Sequence, residues 1–284
     1  KYLLEYSMKI IRKTDELHQI LVLIKDKGQS IGSVLTMGNL HDGHLSLIKE
    51  AQLNNDFVVT SIFINPTQFN NETDFSSYPK TIDDDIAKLE KIGCDLLFLP
   101  EIQEIYPEDV IKQNIVNNFR GILCDKYRPG HFDGVTTVVD IFFSIIKPNA
   151  SYFGEKDFQQ IKIIQELVKI KNHNIKIVSC PSIRDDSGMS LSSRNSKFTN
   201  DQSKIFNQLG SKIYEFINLC KKKSSNINLD NFKKQILENS INKIDYIEIR
   251  NENNLDITNV SSESRLFIAL YIGEIRIIDN FKLY

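Results

Sequence analysis

The sequence contains no tryptophan and only four cysteines among its 284 residues. It also has no apolar run near the roughly 18 residues that a membrane-spanning helix needs, so we expect no insertion into a membrane. No cationic segment followed by an apolar core is found near residue 1, so no secretory signal is predicted. The net charge of −2 lacks the basic excess of a dedicated nucleic-acid binder. These absences favour a small-molecule partner, with no nucleic acid and no membrane.

The cysteines are far apart and form no Cys-x-x-Cys pair. They are Cys94, Cys124, Cys180 and Cys220. Domains built on disulfides are short and rich in cysteine, and zinc ribbons use Cys-x-x-Cys pairs, so the pattern predicts neither. We therefore expect reduced thiols and a cytoplasmic location.

Apolar runs of strand length alternate with helical patterns through about residue 180. The predicted strands are 31–35, 57–64, 96–99, 151–153 and 175–178. The predicted helices lie near 44–54, 81–92, 134–146 and 158–171. This alternation predicts an α/β fold with a Rossmann-like parallel sheet and helices on both faces. A nucleotide is then expected at the carboxyl ends of the strands.

The pattern changes after the run Arg184-Asp185-Asp186. A helix at 201–221 and a Lys/Ser/Asn-rich segment at 221–228 lead to another helix. Three alternating runs follow at 245–250, 264–271 and 274–281, and Gly273 turns the last pair, which predicts an antiparallel sheet. We therefore expect a nucleotide-binding domain over residues 8–180 and a smaller C-terminal α+β domain over 181–284. Residues 1–7 precede Met8, and we expect them not to be native.

The segment from Met37 to His44 places two histidines and two glycines between a predicted strand and helix. Leu45, Leu47 and Ile48 recur at helical spacing, so the His-x-Gly-His sequence opens the helix. A helix N-terminus offers unpaired N–H groups to anions, and imidazoles can donate hydrogen bonds to phosphoryl oxygens. Surface histidines that cap the helix explain this motif equally well when it is taken alone.

Two further polar segments follow predicted strands. Asn65 and Gln68 supply donors and acceptors that suit a hydroxyl-bearing carboxylate, although an Asn-Pro turn is the alternative. Gly154, Lys156 and Asp157 combine backbone access, a mobile cation and an acid for ribose hydroxyls, although Glu-Lys-Asp is also ordinary surface composition.

A loop rich in hydroxyl groups covers residues 186–195. Ser192 and Ser193 can wrap a polyphosphate, and Arg194 can bind two of its oxygens in a fork. A flexible linker has a similar composition, but the embedded Met189 and Leu191 favour a docked loop.

In this order and spacing, the motifs closely resemble the pantothenate synthetase (pantoate–β-alanine ligase) family of the nucleotidyltransferase superfamily. The matching stretches are 36–44, 63–69, 78–81, 128–135, 153–157 and 192–195. The resemblance implies that a pantoate carboxylate attacks the α-phosphorus of ATP, giving pantoyl adenylate and pyrophosphate. β-Alanine then displaces AMP and pantothenate is formed.

The resemblance also implies the site residues. ATP is expected at Met37, Gly38, Asn39, Leu40, His41, Asp42, Gly43, His44, Gly154, Glu155, Lys156, Asp157, Ile183, Leu191, Ser192, Ser193 and Arg194. Pantoate and β-alanine are expected at Gln68, Gln160, Asn65, Tyr78 and Arg128. The residues expected to be catalytic are His44, His41, Lys156, Arg194, Ser192 and Ser193.

The family resemblance extends to partners and cofactors. It implies Mg²⁺ on the ATP phosphates, held mainly by phosphate oxygens and water, so we expect no protein metal ligand. A carboxylate of the run Asp83-Asp84-Asp85 is an alternative ligand, but acids in a first helical turn more often complement the helix dipole. The family also implies a homodimer, and we expect the C-terminal domain to close over the ATP site.

The chain departs from the family pattern at several positions. Leu35 replaces a proline, Cys124-Asp125 replaces a Glu-Gly pair, and Ser187 replaces an aspartate. Met189 and Leu191 exchange the usual leucine and methionine, which keeps the apolar volume. Because of the Cys124-Asp125 change, no role of the family glutamate is carried over to this chain.

Two other functions compete with this prediction. One is an adenylyltransferase of the same superfamily with a phosphorylated acceptor, which would need a further basic pocket where this chain has neutral amides. The other is a nucleotide-binding regulatory module without chemistry, which the combination of His44, Lys156 and Arg194 disfavours.

Overall fold

In a computed structural model of the chain, the described residues are 8–70, 72–107, 116–222, 227–238 and 241–284. Residues 1–7 and residues 223–226 of the Lys/Ser/Asn-rich segment lie outside these ranges. The chain divides into two compact units. The first contains 1–118, 128–154 and 160–180, and the second contains 119–127, 155–159 and 181–284. The segments 119–127 and 155–159 thus group with the C-terminal residues, while the domain boundary expected near residue 181 stays a prediction.

The first unit contains a six-stranded sheet. Its strands are β1 (Lys9–Ile11), β2 (Ile31–Thr36), β3 (Phe57–Ile62), β4 (Leu96–Phe98), β5 (Ala150–Gly154) and β6 (Lys176–Cys180). The strand order is β1-β4-β3-β2-β5-β6, and every pair is parallel. The predicted parallel α/β sheet is therefore confirmed, with one additional short strand, β1. The chain adds β3 and β4 on one side of β2, and β5 and β6 on the other side. In such sheets, ligands bind at the carboxyl ends of the strands where the direction of strand addition reverses, here between β2 and β5.

Helices connect these strands. They are α1 (Thr14–Asp26), α2 (Asp42–Asn54), α3 (Glu72–Ser76), α4 (Ile82–Lys91), α5 (Ile102–Ile105), α6 (Leu123–Tyr127), α7 (His131–Ile146) and α8 (Phe158–Ile170). The sheet is buried on both faces. Leu97 of β4 belongs to the same buried cluster as Ile48 of α2, whereas the next residue, Phe98, packs on Phe142 of α7 with 5.9 Å between ring centroids. Successive strand residues point to opposite faces, which explains this division. Among the described residues, no helix is long and apolar enough to cross a membrane.

The second unit is built around an antiparallel sheet. Its remaining elements are α9 (Asn200–Lys222), α10 (Leu229–Leu237), β7 (Lys243–Asn251), β8 (Ser264–Ile272) and β9 (Ile275–Lys282). The strands pair in the order β7-β8-β9, as predicted, and Gly273 has a φ of +58° in the turn before β9. Phe216 of α9 stacks on Phe232 of α10 at 4.0 Å in the core of this unit.

Candidate active site

The two histidines of the His-x-Gly-His sequence cap the start of α2. The Nδ1 atom of His41 accepts a hydrogen bond from the Gly43 N–H at 3.1 Å, and the Nδ1 atom of His44 accepts one from the His41 N–H at 3.3 Å. The ring centroids are 4.1 Å apart. A neutral imidazole whose Nδ1 accepts must carry its proton on Nε2. Both rings therefore carry their proton on Nε2, at a helix N-terminus that follows the central strand β2. The capping role and the donor role are thus compatible.

Asp85 of α4 holds the loop before these histidines. Its carboxylate accepts hydrogen bonds from the N–H groups of Asn39 at 2.8 Å and Leu40 at 2.7 Å. Lys88, one turn further along α4, donates to the Leu40 carbonyl at 2.8 Å. The amide hydrogens of Asn39 and Leu40 are thus engaged by protein, so ATP would contact these residues through other atoms. The run of three aspartates indicated an acidic helix start and gave no sign of this contact.

Asn65 and Gln68 lie together in the turn after β3. Asn65 is buried, and its amide nitrogen donates to Gln68 Oε1 at 3.0 Å and to the Gly134 carbonyl at 3.1 Å. Its Oδ1 accepts from the Tyr106 hydroxyl at 2.7 Å. Burial raises the pKa of Tyr106 to about 12, so this hydroxyl stays a donor at neutral pH. Gln68 Nε2 lies 2.9 Å from the sulfur of Met37, which joins the turn to the loop after β2.

The start of α7 packs directly on this turn. A Cβ at Gly134 would lie 2.3 Å from the Thr67 carbonyl oxygen, so only glycine permits the contact. His131 Nδ1 donates to the Gln68 carbonyl at 2.8 Å, which leaves Nε2 to accept from Arg128 at 3.1 Å. The Arg128 guanidinium also lies 3.4 Å from the Gln68 carbonyl oxygen. Arg128 and His131 therefore fix the Gln68 backbone. His131 and Gly134 belong to the matched stretch, but sequence reasoning gave neither a role.

Two adjacent glutamines at the start of α8 have different environments. Gln159 is buried, donates to the carbonyls of Phe119 and Ile122, and accepts from the Cys124 N–H at 2.9 Å. Gln160 is half-buried, and its amide has no hydrogen-bond partner in the part of the chain that the structure describes. Gln160 is therefore the glutamine whose amide is available to a ligand.

Tyr78 packs edge-on against Phe69, with 5.7 Å between the ring centroids. Its ring therefore contacts the residue directly after the Gln68 turn. The aromatic contact fixes the position of Tyr78, which is half-buried.

In the second unit, the backbone of the segment Glu155–Asp157 is held by β8 and β9. The Asn280 amide donates to the carbonyls of Glu155 at 2.8 Å and Lys156 at 3.0 Å. Buried Arg265 donates to the Glu155 carboxylate at 3.2 Å. The Lys156 ammonium lies 3.6 Å from Asp157. Arg265 and Asn280 are more than 100 residues away in sequence, and no local pattern indicated this role.

The loop before Ser192 is docked rather than flexible. Arg184 donates to the Gly188 carbonyl at 2.9 Å and to Asp279 at 3.0 Å, and Asp279 also accepts from the Ser190 N–H at 2.8 Å. Met189 is fully buried in the core of the second unit. The expectation of a docked loop is confirmed.

The end of this loop carries the three predicted phosphate ligands. Ser192, Ser193 and Arg194 are half-buried, and the Arg194 N–H donates to the Ser192 hydroxyl at 3.3 Å. The backbone N–H of Leu191 donates to the Ile183 carbonyl at 3.0 Å, so these two predicted ATP contacts are neighbours. The predicted site residues are divided between the two units. The first unit contains His41, His44, Gln68 and Gln160, and the second contains Lys156, Ser192, Ser193 and Arg194.

The Cys124-Asp125 departure has a structural role in the second unit. Buried Cys124 lies with its sulfur 3.2 Å from the Tyr246 hydroxyl and 3.7 Å from the Arg276 guanidinium. Burial, with a contribution from Cys124, raises the pKa of Tyr246 well above its usual value. Asp125 accepts from Arg120 at 2.9 Å. A carboxylate at position 124 is therefore not needed to neutralise Arg276, because Asp245 accepts from this arginine at 2.8 Å.

Comparison with known proteins gives concordant matches. The family described as Pantoate-beta-alanine ligase matches residues 9–282. Pantothenate synthetase of Caldicellulosiruptor bescii is 38% identical over 96% of this chain and 98% of its own. A crystal structure of pantoate-beta-alanine ligase from Francisella tularensis, complexed with beta-gamma ATP and beta-alanine, is 39% identical with a TM-score of 0.83, covering 97% of this chain and 98% of that one. Pantothenate synthetase from Thermus thermophilus superposes with a TM-score of 0.88 at 31% identity, covering 98% of this chain and 100% of that one.

Proposed function

The chain belongs to the pantoate-beta-alanine ligase family, and from that membership we propose which of its residues carry each part of the reaction. The enzyme ligates pantoate and β-alanine to pantothenate through pantoyl adenylate, consuming ATP and releasing AMP and pyrophosphate. The observation that carries our proposal is the pair of Nε2–H donors of His41 and His44 at the start of α2.

ATP phosphates bind at this helix start. The two imidazoles donate to phosphoryl oxygens, and the helix N-terminus adds its positive potential. A Cβ at Gly154 would meet no atom within 4 Å, so the backbone there is open to the nucleotide. Lys156 and Arg194, with the hydroxyls of Ser192 and Ser193, stabilise charge on the α-phosphoryl group and on the leaving pyrophosphate.

Pantoate binds to the amides of Gln68 and Gln160. Gln160 is suited to this because its amide is unengaged by the described protein, and Gln68 because its orientation is fixed. Asn65 acts on pantoate through Gln68, since its own amide is buried and occupied. Arg128 also acts on pantoate indirectly, by holding the Gln68 backbone. Tyr78 acts indirectly as well, by packing on Phe69, the residue after Gln68. β-Alanine is received beside Gln68.

The chemistry needs no nucleophile from the protein. A pantoate carboxylate oxygen bonds to the α-phosphorus while the bond to the bridging oxygen of pyrophosphate breaks. The amine of β-alanine then attacks the acyl carbon, its proton is lost, and AMP leaves with the former carboxylate oxygen. The protein orients the reactants and stabilises developing negative charge, and one preorganised donor typically contributes about 10²–10³ in rate.

Mg²⁺ is proposed to accompany ATP and to neutralise phosphate charge. Among the described residues, no group of three His, Cys, Asp or Glu side chains is placed to hold a metal ion. The buried aspartate of α4 has both oxygens engaged by amide hydrogens. The donor set therefore fits an ion held by phosphate oxygens and water.

Three wider proposals follow from family membership. The enzyme works in the cytoplasm, which the free state of its four buried cysteines supports. It assembles as a homodimer, and the C-terminal residues that carry Arg194 close over bound ATP.

An isotope experiment tests the reaction course. With pantoate labelled by ¹⁸O in its carboxylate, one labelled oxygen should appear in AMP after β-alanine is added. Label found only in inorganic phosphate or pyrophosphate would contradict attack at the α-phosphorus.

A further inference from the structure

Asp85 is a buried carboxylate whose oxygens face the peptide backbone. It is completely buried on α4, whereas Asp83 and Asp84 beside it are exposed. One oxygen accepts from the Leu40 N–H, and the other accepts from the Asn39 N–H and from the Thr81 hydroxyl at 3.1 Å. These contacts leave no oxygen directed to a ligand, so a role in metal binding does not explain the burial of this charge.

The loop that Asp85 binds contains two residues with left-handed backbone angles. Gly38 has a φ of +81° and Asn39 a φ of +50°, so two consecutive residues occupy the left-handed region. Glycine adopts this region without steric cost, whereas a residue with a side chain, such as Asn39, does so uncommonly and is held there by its surroundings. The successive N–H groups of Asn39 and Leu40 both donate to the Asp85 carboxylate, which holds the backbone in this conformation. The Lys88 ammonium donates to the Leu40 carbonyl, so the N–H and the carbonyl of Leu40 are both held by α4.

We infer that Asp85 and Lys88 are positioning residues for the His41–His44 pair. His41 directly follows Leu40, and its N–H is the donor that fixes the His44 ring. A loop held at Asn39 and Leu40 therefore sets the direction of both Nε2–H donors. The inference deepens the proposed function and rests on the role given there to the two histidines.

The test compares Asp85→Asn with Glu90→Gln, which removes the same charge from an exposed side chain of the same helix. An amide would leave one buried backbone N–H facing a donor, so we expect the kcat/KM for ATP to fall about 10- to 100-fold. The Kd for pantoate should stay within twofold, because Asn65 and the start of α7 fix Gln68. Lys88→Met keeps the apolar stem and should lower the same ATP parameter about 3- to 10-fold.

Imidazole ¹⁵N shifts give a readout that stability alone would not change. In the wild type, His41 and His44 should each show an unprotonated Nδ1 and a protonated Nε2 near pH 8. In Asp85→Asn the shifts of the two nitrogens should move toward each other as the tautomers average. Lys88→Met carries the same test if Asp85→Asn does not fold.

Two results would overturn the inference. One is a folded Asp85→Asn enzyme with unchanged histidine shifts and normal ATP kinetics. The other is an equal loss for ATP and pantoate together with a lower melting temperature, which indicates a general structural role. If the wild type itself released no pyrophosphate with pantoate, the proposed function would fail, while the histidine shifts would still test the positioning role.

Discussion

Replacing Gly134 by alanine should displace the Gln68 turn, which we propose to bind pantoate, and should leave ATP binding unchanged. The new Cβ would lie 2.3 Å from the Thr67 carbonyl oxygen and 2.7 Å from the Gln68 nitrogen, both backbone atoms. Ordinary contact begins near 3.4 Å, so the turn must move by about 1 Å. A misplacement of this size typically costs on the order of 10² in rate, and we expect that loss in the kcat/KM for pantoate. Alanine also gains about 1 kcal/mol of helix propensity, which offsets part of the 1–3 kcal/mol of overpacking.

Pyrophosphate release at saturating ATP and varied pantoate measures the effect, and calorimetry measures the Kd for ATP. Ser144→Ala, at an exposed position of the same helix, is the matched control and should behave as the wild type. A Gly134→Ala enzyme with the normal kcat/KM for pantoate would contradict the proposed role of the Gln68 turn. An equal loss of ATP affinity would refute it as well, because the contact is confined to the Gln68 turn.

Three further predictions concern single residues. His44→Ala and Lys156→Ala should each lower pantoate-dependent pyrophosphate release by about 10²–10³ while circular dichroism stays unchanged, and near-normal release by either soluble variant would remove that residue from the mechanism. Gln160→Ala should weaken pantoate far more than ATP in titrations, and the reverse pattern would show the site map to be wrong. Because burial raises the folded-state pKa of Tyr106 from 10.0 to about 12, its contribution to stability is present below pH 10 and is lost as pH rises toward 12. Tyr106→Phe should therefore unfold with a shallower pH dependence in that range, and an unchanged slope in urea melts would contradict this.

The sequence predicted the sheet because its strands are short apolar runs bounded by turns and followed by helical periodicity. It also placed the polar motifs at strand ends, where parallel strands bring them to one edge. Strand β1 was missed because three residues, Lys9 to Ile11, give no measurable alternation. Its pairing with β4 arises from contacts about 90 residues apart.

The residues that hold the site loops could not be predicted either, because their partners are also distant in sequence. Asp85 binds a loop 45 residues earlier in the chain, and Asn280 binds a carbonyl 125 residues earlier. The residues around each partner in the sequence do not indicate that such a contact forms. The direction in which each side chain points at the start of a helix is equally hard to predict. Only the structure shows that the Gln159 amide is hydrogen-bonded, while the Gln160 amide has no partner among the described residues.

Exchange of labelled pyrophosphate into ATP isolates the proposed adenylation of pantoate, because it requires reversible adenylation of an acceptor and no second step. We predict rapid exchange that depends on pantoate, is absent with phosphorylated acceptors such as phosphopantetheine, and is lost in His44→Ala. Exchange without pantoate, or exchange supported only by a phosphorylated acceptor, would contradict this proposal.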